Sequence, residues 1–349
     1  MDTKEFIKTL INKAKMQISS YTIIFLANVM ELTPNVNDYE DTSVLTEFLS
    51  LNEFNELITS LQEYGFYVRT YFDTNEFISD YLSGKFIETN IIIFEGSQKG
   101  IGKARDAFIP SFCDLENIKH TGPNAYVNSI CSNKYHWSKI LEQHDISVPR
   151  SWQYSLEGWL NNQTPPQNML LISKPCYECA SIGIHKESVS KLNYSYESYL
   201  RRMSKSYNQP MIVQEFITGY EVEIPLLLHN KTPYILPPVV LYQNNNIMMG
   251  EHFLDFDDIY GDDYHFCLLE TINSEYAQNI SDEVMKIAAI LELDKYARID
   301  FRVTSDGKCF VTDINSYPHI VSHSSFAYAF TSLGFHEYDV LPCIIGNIL

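Results

Sequence analysis

The chain has 349 residues, of which 45% are hydrophobic and 20% charged. That supports two or three domains with ample core and excludes wholesale disorder. Lys and Arg total 25 against 44 Asp and Glu, a formal charge of −19; a field of that sign repels phosphate backbones and anionic lipid, so nucleic-acid coating and membrane docking are poor readings. A small anion in a locally basic cleft is still allowed. No run approaches the ~20 apolar residues of a membrane span. The polar start Met1-Asp2-Thr3-Lys4-Glu5 lacks the apolar run of a secretory signal. Seven scattered cysteines, in a chain large enough not to need staples, read as reduced thiols and point to the cytoplasm. Cys176-x-x-Cys179 has the spacing of half a zinc site but no second pair, so it reads as two loop thiols.

In chain order, apolar residues at helical spacing predict a helix over 4–18. Strands follow at 21–26, 66–72 and 90–94, separated by helices over 45–64 and 75–82. This alternation implies a parallel sheet and an open α/β domain over residues 1–120. A second block, 121–220, begins at Thr121-Gly122-Pro123. It has helices over 124–131 and 133–144, a strand at 169–175 after the Pro165-Pro166 turn, a helix over 195–206 and a strand at 210–216. The third block, 221–349, opens with strands at 221–228 and 234–242, then an acidic loop at 255–263 and a helix over 281–291. Its last strands, 297–303 and 308–314, are joined by the turn Ser305-Asp306-Gly307.

Those last strands carry the strongest local signal. Arg298-x-Asp300 sits on one and Asp313-x-Asn315 on the next. Alternation puts each pair on one face of its strand. If the strands pair, two carboxylates, an amide oxygen and a guanidinium converge, the protein's usual share of a magnesium site whose remaining ligands are substrate phosphates. Lys174 ends a strand before a small-residue loop and is a candidate phosphate clamp. Lys134 opens a helix, Glu215 closes a strand, and Glu221 follows the turn at Thr218-Gly219.

The order of these features resembles the ATP-grasp superfamily and, within it, the D-alanine–D-alanine ligase family. The markers are Asn133-Lys134 opening a helix that ends at Ile146-Ser147-Val148-Pro149; Lys174-Pro175-x-x-Glu178-x-x-Ser181-Ile182-Gly183; Gln214-Glu215-Phe216-Ile217-x-Gly219-x-Glu221-Val222; Arg298-Ile299-Asp300; Asp313-Ile314-Asn315-x-x-Pro318; and Ser322-His323-Ser324. The resemblance implies an ATP-grasp fold behind an N-terminal open parallel α/β domain. It implies ATP and two Mg²⁺ ions, small amino-acid substrates, and a homodimer by analogy. Lys134 and Lys174 match the lysines that hold ATP phosphates, with Glu178 and Ser181 in the phosphate loop. Gln214, Glu215, Phe216 and Ile217 match the adenine segment, and Glu221 the ribose glutamate. Asp300, Asp313 and Asn315 match the magnesium ligands, with Asp313 where the family has glutamate. Arg298 matches the arginine beside the reacting phosphoryl group, Ser324 the serine that receives the second amino acid's carboxylate, and Tyr260 the tyrosine of the covering loop.

The implied reaction is a carboxylate–amine ligation through an acyl phosphate, releasing ADP and phosphate. The departures fall on the first-substrate half. Cys179 and Ala180 replace a glycine and a serine of the phosphate loop, and Ile259 replaces a lysine beside five aspartates. His319 stands at an oxyanion-site glycine, Ala27-Asn28 replaces a glycine pair, and Glu31 is the nearest match to the amine-binding glutamate. They favour a first substrate other than D-alanine, larger or with an extra cationic group. The alternatives are a ligase of specialised metabolism with a different amino acid, and a non-catalytic nucleotide-binding regulator.

Overall fold

The computed structural model describes residues 2–40, 43–86, 90–96, 100–250, 252–254 and 264–349. The first sheet is parallel, with β1 (Thr22–Ala27) between β2 (Tyr67–Tyr71) and β3 (Ile91–Gly96), and β4 (Lys119–His120) beyond β3. Every residue of β1 is buried because both faces are covered. Phe25 and Phe94 pack toward α1 (Thr3–Met16) and α2 (Leu51–Glu63). Ile24 and Leu26 pack toward α3 (Thr74–Leu82) and α4 (Phe108–Glu116), the latter a helix missing from the sequence reading.

The helix expected over 45–64 is broken. A 3₁₀ turn at Val44–Glu47 gives way to extended backbone, and α2 begins after Ser50. Ser50 Oγ accepts the Glu53 N–H at 3.3 Å, while Glu53 Oε2 accepts the Ser50 N–H at 2.7 Å. This capping box starts a new helix where apolar periodicity alone runs on.

The second layer holds α5 (Ala125–Ser132), α6 (Lys134–Gln143) and an antiparallel sheet. Its strands are β5 (Ser151–Ser155), β6 (Gly158–Trp159), β7 (Leu170–Pro175), β8 (Val189–Lys191) and, after α7 (Tyr194–Ser206), β9 (Met211–Glu215), in the order β6-β5-β9-β7-β8. The third sheet runs β13-β12-β10-β14-β15, with β11 on the flank of β10. These are β10 (Tyr220–His229), β11 (Thr232–Ile235), β12 (Val239–Tyr242), β13 (His265–Leu268), β14 (Tyr296–Val303) and β15 (Cys309–Asn315). The single strand expected over 234–242 is two, because Pro237-Pro238 offers no N–H to a ladder. The short helix α8 (Leu269–Ile272) precedes α9 (Ser274–Ile290), which starts seven residues before the expected position of 281.

Two C-terminal helices close the chain, α10 (Ser325–Ser332) and α11 (Val340–Ile348). Seven of the nine α11 residues are buried, as for a helix apolar all round. It packs on α1, and Gly346 permits the approach: a methyl group there would strike the Leu10 backbone. The first and last helices thus share one core with Phe25, Phe94 and Tyr296. No helix among the described residues is long and apolar enough to cross a membrane.

Candidate active site

A cleft of about 720 Å³ opens where the three sheets meet. Its strand wall follows from register. β14 and β15 pair Arg298 opposite Asn315 and Asp300 opposite Asp313, with a bulge after Asp300. On the other side, β10 sets Glu223 opposite Asp300 and Glu221 opposite Arg302. Arg298 donates from Nε and Nη2 to the two oxygens of Asp300, each at 2.8 Å, and lies 3.2 Å from Glu223. Burial pushes the Asp300 carboxyl up, and Arg298 only partly offsets it. Burial likewise pushes Glu223 up to about 7 against the pull of Arg298.

Lys134, the first residue of α6, reaches across to Asp313 with Nζ at 2.6 and 2.7 Å from its oxygens. Asn133 aims it by capping α6 through the Tyr135 and His136 N–H groups. Burial opposes charge on Asp313, but Lys134 and Lys174 outweigh it and hold the carboxyl below its ordinary value. Lys174, at the end of β7, donates to the Thr312 carbonyl at 3.1 Å. Burial pushes its ammonium pKa down. Farther along, Arg302 meets Glu221 at 2.5 Å and lies over the Phe216 ring, and Arg150 grips Glu215 through two hydrogen bonds. Among the described residues, the buried Gln214 side chain finds no acceptor for Nε2.

The loop wall follows β7. Ala180 and Ser181 hold left-handed backbone, φ 48° and 54°, each a cost of about 1 kcal/mol or more for a non-glycine residue. Gly183, at φ 77°, closes the turn where a side chain would strike the Pro175 ring. What holds this shape is a buried charge cluster. Arg105, with 3% of its side chain exposed, donates to Glu47 at 3.2 and 3.3 Å and to Glu178 at 3.4 Å. Glu178 also accepts from Tyr39 at 2.5 Å and Gln209 at 2.7 Å. Cys179 donates its N–H and thiol to Glu47 at 3.3 and 2.9 Å. Cys176, the other thiol of the Cys-x-x-Cys pair, is buried and accepts from Gln153, and both cysteines are unbridged.

The remaining wall is N-terminal. Glu53 and Leu57, on one stripe of α2, and the N-cap Ser50 line the cleft with Phe25 and Phe94. His319 lines it and is exposed within it. His323 Nε2 lies 3.4 Å from Glu53 Oε1. Ser324 caps α10, its Oγ accepting the Ala327 N–H at 3.2 Å.

The cleft brings together Arg298, Ser324, Lys134, Lys174, Glu178, Ser181, Gln214, Glu215, Phe216, Ile217, Glu221, Asp300, Asp313 and Asn315. Tyr260, Ile259 and the aspartates of 255–263 lie outside the described residues, although the flanking Leu254 and Tyr264 line the cleft. Glu31 is exposed and is not among the lining residues. Sequence reasoning missed Glu47, Glu53, Arg105 and Tyr39; only the Ser50-x-x-Glu53 capping box was a usable signal. Nine carboxylates line the cleft against four Lys or Arg side chains, a balance that favours bound cations.

Residues 143–346, more than half the chain, match the family model described as D-ala D-ala ligase C-terminus. A D-alanine–D-alanine ligase of Cupriavidus pinatubonensis is 22% identical over 69% of this chain and 71% of the relative. One of Ectopseudomonas mendocina is 21% identical over 86% and 90%. Among solved structures, D-alanine–D-alanine ligase from Bacillus anthracis complexed with ATP superposes with a TM-score of 0.66 at 16% identity, covering 93% of this chain and 97% of that one. VanG D-Ala:D-Ser ligase from Enterococcus faecalis has the same TM-score at 15% identity, over 95% and 100%. The fold is that of these ligases.

Proposed function

The chain belongs to the D-alanine–D-alanine ligase family, and from that premise we propose that it is an ATP-dependent ligase joining two amino acids through an acyl phosphate. The observation that carries this reading is the convergence of Arg298, Asp300, Asp313 and Asn315 on one sheet face with Lys134 and Lys174. In the first step a carboxylate oxygen attacks the γ-phosphorus of ATP and the bond to ADP breaks. In the second an amine nitrogen attacks the acyl carbon, phosphate leaves, and the amine gives up a proton.

Lys134 and Lys174 hold phosphate oxygens as point charges, and Glu178 and Ser181 shape the loop beside them. Gln214 to Ile217 receive adenine, for which the unspent Gln214 donor supplies a reason: a buried unpaired donor costs about 1–3 kcal/mol. Glu221 takes the ribose. Arg298 directs its fork at charge developing on the phosphoryl group or oxyanion, and Ser324 receives the second carboxylate. Tyr260 keeps the covering-loop role that the resemblance implies. Asp300, Asp313 and Asn315 form an oxygen-only donor set that fits two Mg²⁺ ions, which would neutralise the transferring phosphoryl oxygens. Both carboxylates are engaged by basic side chains, so Lys134 and Arg298 exchange carboxylate for phosphate when substrate binds.

The working units are 1–120, 121–220 and 221–349, each built on one sheet. The first amino acid differs from D-alanine, since Ala180 offers no hydroxyl and Glu31 is outside the cleft. Phosphate release from ATP across D- and L-amino acids tests the function: the expected result is Mg²⁺-dependent release that requires an amino acid. ATP binding with no such release under any pair would instead mark a nucleotide-binding regulator.

A further inference from the structure

We propose that the amino acid supplying the attacking amine carries an aromatic side chain, seated in a ring-lined pocket of Tyr264, Phe266 and Tyr328 beside Ser324. The inference deepens the ligase reading and rests on it for the role of Ser324. Its own support is a second cavity, of about 340 Å³, lined by Tyr242, Tyr264, His265, Phe266, His323 and Tyr328. This cavity is continuous with the cleft, because Tyr264, Phe266 and His323 line both. Its walls are not sealed: the tyrosines and Phe266 are half-buried, and the two histidines are exposed. Open ring surface of this kind is covered with a gain in free energy by an apolar ligand group.

Ring geometry favours a further ring as the occupant. Phe266 lies on β13, opposite Leu241 of β12. Tyr264, two residues earlier, meets it edge-on, with centroids 5.5 Å apart and planes at 80°. Tyr328, from α10, is also 5.5 Å from Phe266, tilted by 41°. Rings set at such angles offer both faces and edges to another aromatic group. A methyl group would leave most of that surface uncovered. Among the described residues the lining holds no carboxylate, lysine or arginine, so a charged side chain would give up water without an ionic partner.

Position assigns the pocket to the nucleophile. Ser324 Oγ accepts the Ala327 N–H and keeps its own O–H to donate to a carboxylate. Tyr328 stands one turn along α10 from Ser324, its N–H donating to the Ser324 carbonyl at 2.9 Å, and His323 is the chain neighbour. One turn is about 5.4 Å, the reach of a benzyl group from the carboxylate of its own amino acid. The groups proposed for nucleotide and metal (Lys134, Lys174, Gln214, Glu221, Asp300 and Asp313) all line the cleft, and none lines this cavity.

The test reads the two ends of the product separately. The protein is given Mg²⁺, ATP and an equimolar mixture of the common amino acids in both hands, and the dipeptides are sequenced by tandem mass spectrometry. The C-terminal residue identifies the nucleophile. Phenylalanine, tyrosine or tryptophan should fill that place at least tenfold more often than alanine, leucine or lysine. Tyr328→Leu and Phe266→Leu, which keep apolar volume but remove a ring, should each lower the aromatic preference at least fivefold. Tyr328→Phe should restore it, and the N-terminal residue and KM for ATP should not change. Alanine or lysine as the main C-terminal residue, aromatic residues confined to the N-terminal place, or an undiminished preference in both leucine variants overturns the pocket. If wild type forms no dipeptide, the ligase reading fails separately. Calorimetry with phenylalanine in both hands and Mg²⁺-ADP then decides: binding weakened at least fivefold by Tyr328→Leu supports the pocket, and unchanged or absent binding removes it.

Discussion

Two walls of one cleft solve the burial of charge differently. On the strand wall, Arg298 binds an aspartate two residues away, and partners across β10, β14 and β15 are set by ladder register. On the loop wall, Arg105 binds Glu47 and Glu178, 58 and 73 residues distant, and Glu47 binds Cys179 across 132. The first arrangement follows from local geometry and presents paired charges that can exchange partners for a ligand. The second is a clasp, with Glu47, Glu178 and, at 3.7 Å, Asp106 around one guanidinium, that ties the N-terminal layer to a strained loop. The comparison teaches that the chemistry and the holding of its cover are assigned to different layers of the molecule.

The sharpest way to break the comparison is on the strand wall. Asp313→Ala should lower Mg²⁺-dependent phosphate release about a hundredfold to a thousandfold, because one directed electrostatic group in a dry site is worth that order. Unchanged far-ultraviolet dichroism would show that the fold persists, and turnover near wild type at saturating Mg²⁺ would remove Asp313 from the site. On the loop wall the first loss should be stability. Arg105→Met leaves Glu47 and Glu178 buried without their cation, a cost of about 3–5 kcal/mol in urea unfolding. A loss below 1 kcal/mol would mean that the clasp contributes little.

Between the walls, Lys174→Ala should weaken ATP binding by about 1.5–3 kcal/mol, the worth of a charge-assisted hydrogen bond. Calorimetry giving wild-type affinity would sink that assignment. The smallest effect lies beneath the cleft, where Lys295 contacts His120 at the junction of the first and third sheets. Burial, reinforced by Lys295, pushes the His120 imidazole down to about 3. Below the ordinary histidine value the unfolded chain takes up a proton that the folded one refuses. This contribution is therefore complete above about pH 6.5 and falls as pH drops toward 3, by at most about 1.4 kcal/mol per unit. Urea midpoints between pH 7.5 and 5 should fall less steeply in His120→Asn than in wild type; equal slopes would assign the dependence elsewhere.

By itself the sequence determined the parallel α/β start, the helix opened by Lys134, and the C-terminal strands with Arg298, Asp300, Asp313 and Asn315 on their faces. Each of these rests on a period of 2 or 3.6 residues or on a cap, and such signals are local. Only the tertiary structure decided that Lys134 meets Asp313, that Arg105 ties Glu47 to Glu178, that Glu31 stays outside while Glu53 comes in, and that α11 packs on α1. No short-range pattern encodes those contacts, because they depend on where three sheets come to rest against one another. The break before α2 shows the boundary between the two. The capping box Ser50-x-x-Glu53 was written locally, yet its consequence, a carboxylate aimed into the cleft, existed only once Phe25, Leu57 and Phe94 had packed behind it.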